Sequence, residues 1–242
     1  MLSKESLTQF TKTFQTVTLN VAREYCQHLF LSYLYQLAGS DRLLFKGGTA
    51  LRIVFRSPRF SEDLDFTGSG ITTAEVESLF TDTLIMVEKS GIPIELEEGK
   101  PTTGGYIGIG TFTVHDLEIP VHIEVSLRTN KKRTKGTRVL IANDYIPAYT
   151  LTHMPEDELI TGKLAALMNR HKPRDFYDFF FLLSSNYPQV RDTAIFKQVL
   201  VLLNSSKINF HYELKQFLPA SHSLHLRDFK KMLEQKIREY MR

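Results

Sequence analysis

The chain carries one cysteine, Cys26, which excludes an internal disulfide framework and fits a reducing cytoplasm. No apolar run reaches the length of about 18 residues that a membrane-spanning helix needs, and no signal peptide is visible at the N-terminus. The expectation is a soluble, cytoplasmic protein with no membrane partner. Neither G-x-x-x-x-G-K-[ST] nor G-x-G-x-x-G occurs, so no Walker A loop and no dinucleotide fingerprint is encoded. No G-x-S-x-G nucleophile elbow is present. Among the eight histidines, His222 and His225 stand three apart, but no cysteine or other ligand pair supports zinc. Internal repeats and low-complexity linkers are also absent.

The 242 residues suit one large domain or two small ones, and 42% apolar residues, with 17 Phe and 10 Tyr, are enough for a sizeable core. Net charge is +3, which decides little, but its distribution is uneven. Residues 128–138 hold six Lys/Arg and no acid, and residues 227–242 hold six Lys/Arg against three acids. Such clusters suit a polyanion; the alternative is a solvated loop and a solvated helix face.

Residues 5–37 read as helical, with Val21, Tyr25, Leu29 and Tyr33 at spacing four, and Gly39-Ser40 ends the stretch. Residues 42–46 read as a short buried strand, followed by a Gly47-Gly48 turn and a helix through Leu51, Val54 and Phe55. Ser57-Pro58 breaks that helix, and residues 62–66 form a second strand. An amphipathic helix is expected over 72–90, stopped by Gly91. Residues 92–127 alternate in strand fashion, with a hairpin turn at 104–106. From Pro155 onward the pattern is helical. The fold class is therefore α/β (α+β), with a domain over 1–150 that includes the N-terminal helices and a helical domain over 151–242.

The chemistry concentrates in residues 45–66, FKGGTALRIVFRSPRFSEDLDF. Gly47 and Gly48 let a backbone approach a phosphate, and Thr49 at the helix start can donate through its hydroxyl. Lys46 and Arg52 can add charge to a triphosphate. Thirteen residues separate Thr49 from Asp63-Leu64-Asp65. Two carboxylates one residue apart on a strand project to one side and can share Mg2+, with Mn2+ as the alternative. Glu124, in IPVHIEVSL, is the candidate third ligand, sharing a face with His122 and Ser126. Between turn and acids lie Arg56, Arg59 and Ser61; Arg59 is favoured over Arg56 for a phosphate role. The bland reading of the acids is an exposed strand face, although Asp is depleted in strands.

In PEDELITGKLAALMNRHKPRDFYDFFFLL (155–183), Lys163 shares a helical face with Ile160, Leu164 and Leu167, a position that calls for an anion or for snorkelling. Asp175 and Asp178 follow Pro173. A first-turn dipole role accounts for Asp175, leaving Asp178 as the better candidate to hold Lys163 or a substrate hydroxyl.

The set KGGTALR, RFSEDLDF, KLAAL and RDFYD, spanning about residues 45–183, resembles the AbiEii/AbiGii-type nucleotidyltransferase toxins, which include the MenT toxins, in the polymerase-β-like superfamily. The resemblance implies a polymerase-β-like core with a mixed sheet. It also implies the toxin half of a bacterial toxin–antitoxin or phage-defence pair, with a cognate antitoxin. Some members add nucleotides, often pyrimidines, to the 3′ end of tRNA and so block aminoacylation. Carried over, Gly48 and Thr49 meet the triphosphate and Asp63 and Asp65 bind metal. Lys163 and Asp178 fill the later Lys and Asp motifs, with Asp175 competing for the last role. The leading expectation is an NTP-dependent nucleotidyltransferase acting on RNA, tRNA in particular, and blocking translation. The rivals are transfer to a small molecule or a protein hydroxyl, and a non-catalytic binding module on the same fold.

Overall fold

The computed structural model describes residues 1–128, 134–185, 187–205, 207–222 and 226–241. They fall into two compact units, residues 1–56 with 60–155, and residues 57–59 with 156 onward.

The first unit starts with α1 (Lys4–Thr13) and α2 (Thr18–Leu34), where the apolar period suggests one helical stretch. Gln15 breaks it by adopting a left-handed φ of 51°. Val21, Tyr25 and Leu29 are buried at spacing four, and Cys26 is fully buried, a core filler as expected. Seven strands follow: β1 (Leu43–Lys46), β2 (Leu64–Gly68), β3 (Ile94–Thr102), β4 (Gly105–Val114), β5 (Leu117–Ser126), β6 (Thr137–Ile141) and β7 (Tyr149–His153). Helix α3 (Gly47–Ile53) joins β1 towards β2, and α4 (Thr73–Lys89) follows β2. Thr72 and Glu75 form a capping box at the start of α4, and Gly91, at φ 91°, follows its end.

The sheet order is β3-β4-β5-β2-β1-β7-β6. Pairs β1/β7 and β2/β5 are parallel and the others antiparallel, so the sheet is mixed. β2 begins at Leu64 and not at residue 62, because the carbonyl of Asp63 is taken by the hydroxyl of Thr49 and not by a neighbouring strand. β6 is legible only in the structure. It is a short edge strand with mostly exposed positions, so its sequence has no alternation to read. Phe30 of α2, Phe80 of α4, Phe66 of β2, Tyr106 of β4 and Ile123 of β5 meet in one core layer. The Phe30–Phe80 and Phe80–Tyr106 ring pairs, at 6.1 and 5.8 Å, hold the helices to that layer. The opposite face of β2 and β5 is left for polar residues.

The second unit is helical: α5 (Glu156–Arg170), α6 (Pro173–Ser184), α7 (Thr193–Ser205), α8 (Phe210–Leu214) and α9 (Phe229–Tyr240). Pro173 opens α6, where its missing N–H costs nothing. Phe210 packs against Phe229 at 4.9 Å and Phe176 at 5.7 Å to form its centre. Among the described residues no helix is long and apolar enough to cross a membrane.

Candidate active site

Strand alternation builds the site. Leu64 and Phe66 are buried while Asp63 and Asp65 are partly open. Ile123 and Val125 are buried while His122 and Glu124 are exposed. Asp65 is in register with Lys46 of β1 on one side and with Glu124 of β5 on the other. Residues in register on adjacent strands project to the same face. Lys46, Asp65 and Glu124 therefore form one row across three strands. Burial pushes the Lys46 ammonium below the usual lysine range, while Asp65 and Glu124 pull it back up. Arg128 adds a like charge beside Lys46, and its side chain lies over Gly104, where a Cβ would come within 2.9 Å of the Arg128 Nε. Residues 129–133 of the basic segment lie outside the described residues, as does His225.

Gly47 adopts a φ of 84°, and a Cβ there would overlap the Asp65 carboxylate. Glycine thus lets the turn and the acid occupy the same small space. Thr49 is fully buried and donates its hydroxyl to the Asp63 carbonyl, so it ties the turn to the acid pair and is not a helix cap. Lys46 is the N-cap of α3. Arg52, expected at a triphosphate, is bound instead by Glu24 of α2, with Nε–Oε1 at 2.8 Å and a second bond at 3.1 Å. Its guanidinium also stacks over Phe60 at 4.0 Å. The carbonyl of Ser61 accepts from Gln27 at 3.0 Å.

In the helical unit, Asp178 is 1% exposed and accepts from Arg59 Nε at 2.8 Å, from the other Arg59 nitrogen at 3.0 Å and from Lys163 Nζ at 2.8 Å. Burial alone would push the Asp178 carboxyl up, but the two cations hold it below the usual carboxylate range. The anion demanded by Lys163 is thus Asp178. Arg59 sits in a buried ion pair with Asp178, and residues 57–59 belong to this unit. Asp175 accepts from the Lys172 backbone N–H at 3.1 Å and from Arg170 at 2.6 Å, the arrangement of a helix-terminus acid. His222 lies 3.3 Å from the Tyr177 hydroxyl.

Asp63, Asp65 and Glu124 supply only oxygen donors, which fits a hard divalent cation. Among the described residues no three His, Cys, Asp or Glu side chains are brought together as a group that could hold a metal ion, so the three-carboxylate set expected from the sequence does not stand assembled.

Residues 29–242 match the family described as nucleotidyl transferase AbiEii toxin, type IV TA system. The chain belongs to this family. It is therefore a nucleotidyltransferase toxin of the AbiEii type, an enzyme that uses an NTP and has an antitoxin partner. The AbiEii fold is also seen in two solved structures. One is described as a "putative nucleotidyltransferase from H. pylori", at 20% identity and TM-score 0.55, covering 90% of this chain and 96% of its own. The other is JHP933 from Helicobacter pylori, at 18% identity and TM-score 0.52, covering 93% and 95%. No curated protein matches the chain.

Two residues that sequence reasoning missed are Gln27 and Glu24, which hold the Ser61–Glu62 backbone and Arg52. The readable signal was a polar stripe, Arg23, Glu24, Gln27 and His28, inside a helix that is otherwise apolar from Val21 to Leu31.

Proposed function

We propose that this toxin transfers a nucleoside monophosphate from an NTP to RNA, at the 3′ end of tRNA, and so blocks translation. The observation that carries the reading is the row Lys46–Asp65–Glu124 lying against the Gly47 turn. In the reaction an RNA hydroxyl attacks the α-phosphorus. The bond from that phosphorus to the α,β-bridging oxygen breaks, pyrophosphate leaves with the electron pair, and the hydroxyl proton passes to solvent. Asp63, Asp65 and Glu124 would hold Mg2+, with Mn2+ as the alternative; when bound, the ion supplies charge neutralisation to the triphosphate. The turn at Gly47 and Gly48 orients the triphosphate, and Lys46 adds positive charge beside it.

A polyanionic acceptor is supported by charge. Arg128 stands beside Lys46. In the helical unit, Lys207, His211, Arg227 and Lys230 line a cleft of about 340 Å³, with no acid among the described residues that line it. Phosphate backbones are held by such groups in a salt-dependent way. The test is incubation with total tRNA, Mg2+ and each labelled NTP, followed by mass spectrometry of RNA 3′ ends. Addition of nucleotide to 3′ ends is expected. A folded protein that labels small molecules or proteins but no RNA would replace this acceptor.

A further inference from the structure

Residues 61–63 lie in no strand, so their carbonyls must find donors elsewhere. They find them in side chains. Gln27 Nε2 donates to the Ser61 carbonyl at 3.0 Å and to the Glu62 carbonyl at 2.9 Å. The Thr49 hydroxyl donates to the next carbonyl, that of Asp63. Arg23, one turn before Gln27 on α2, meets the Glu62 carboxylate at 3.1 Å. Three consecutive carbonyls are thus held from α2 and α3, immediately before the acid pair.

Gln27 is only 1% exposed. A buried amide costs free energy unless it is hydrogen-bonded, and an aliphatic residue would pack the same space without that cost. What the amide supplies is the double grip on 61–62. Asp65 is fixed by β2, but Asp63 belongs to the irregular segment, and its position relative to Asp65 depends on how that segment is held. Catalytic carboxylates need placement to within about 0.5 Å.

We infer that Gln27 is a positioning residue for the Asp63/Asp65 pair, setting the cation affinity of the site through the 61–63 backbone. The inference rests on the proposed nucleotidyl transfer. Removing the amide leaves the fold of α2 in place and lets Asp63 drift from Asp65. Supporting groups of this kind typically change metal affinity by about 10- to 100-fold.

The experiment uses the full chain with Mn2+ as the probe. Free Mn2+ is followed by electron paramagnetic resonance, with a non-hydrolysable NTP analogue present, for wild type, Gln27→Met and Gln27→Asn. Met fills the space without donors, and Asn keeps the amide but falls short of the carbonyls. The expected result is a Mn2+ Kd raised about tenfold or more. In transfer assays kcat falls, KM for the NTP is unchanged, and excess Mn2+ restores part of the rate. A purely structural role would lower the unfolding midpoint but leave the Mn2+ Kd of the folded fraction alone. An unchanged Kd in either folded variant overturns the inference, as does failure of both variants to fold. If wild type binds no Mn2+, the nucleotidyl-transfer reading falls together with it. If wild type binds Mn2+ and labels no RNA, only the acceptor reading falls.

Discussion

Gly47 and Asp65 share one small volume: a Cβ on the glycine would overlap the carboxylate and also come within 2.8 Å of the Asp65 Cβ. The turn proposed to meet the triphosphate and the acid proposed to meet the cation are therefore one packed unit.

Gly47→Ala should lose transfer activity for two independent reasons. Its φ of 84° costs a residue with a Cβ about 1–2 kcal/mol, and the new methyl must displace Asp65. Circular dichroism should show a folded protein while label transfer to RNA falls to background. Retained activity would mean that Asp65 is not held against the turn as described.

Asp65→Ala should abolish cellular toxicity without unfolding the protein, since its side chain is partly open and its strand is fixed by pairing to β1 and β5. A fully toxic Asp65→Ala variant would favour a binding module over an enzyme acting through this acid.

In the helical unit, Asp178→Asn leaves Arg59 and Lys163 buried beside a neutral amide. Removing one partner of a buried charge cluster costs about 3–5 kcal/mol. Lys163→Met should cost less, because Asp178 keeps both bonds to Arg59. Urea unfolding followed through the helical unit should rank them in that order; equal costs would show that Arg59 does not compensate Asp178.

Stability should also depend on pH through His28. Burial pushes its pKa down to about 4 from 6.5, so the folded state excludes a proton that the unfolded chain binds. Its stabilisation is intact above about pH 6.5, is lost as pH falls towards 4, and totals about 3 kcal/mol. His28→Asn, which keeps an acceptor near the Tyr149 hydroxyl, should flatten the pH dependence of the melting temperature in that window. Identical slopes in both proteins would assign the effect to other groups.

Charge reversal at Lys207 and Lys230 should weaken RNA binding and reduce the slope of log affinity against log salt by about one for each residue. An unaltered slope would remove the cleft from the RNA-binding surface.

The turn, the acid pair and the candidate third acid were legible because each depends on local spacing. Gly-Gly-Thr sits at a strand–helix junction, and alternation in LDF and HIEV separates inward from outward residues whatever lies around them. The partners of the arginines were not legible in the same way. Arg52 and Arg59 lie beside the motif in sequence, yet one is bound by Glu24, 28 residues away, and the other by Asp178, 119 residues away. A cation near a phosphate motif and a cation committed to a buried carboxylate have the same local sequence. Lys163 is the intermediate case: its apolar surroundings announced that an anion was needed, the sequence offered Asp178 as a candidate for it, and the fold pairs the two at 2.8 Å.

By itself, then, the sequence determined where Asp65, Glu124, Gly47 and Gly48 stand, because their placement follows from the two-residue period of a strand and the conformational freedom of a turn. The tertiary structure decided which polar side chains hold the 61–63 backbone and which hold Arg52. Gln27, Thr49 and Glu24 acquire their roles through hydrogen bonds between segments distant along the chain, and the desolvation that makes those bonds obligatory exists only once the core has closed.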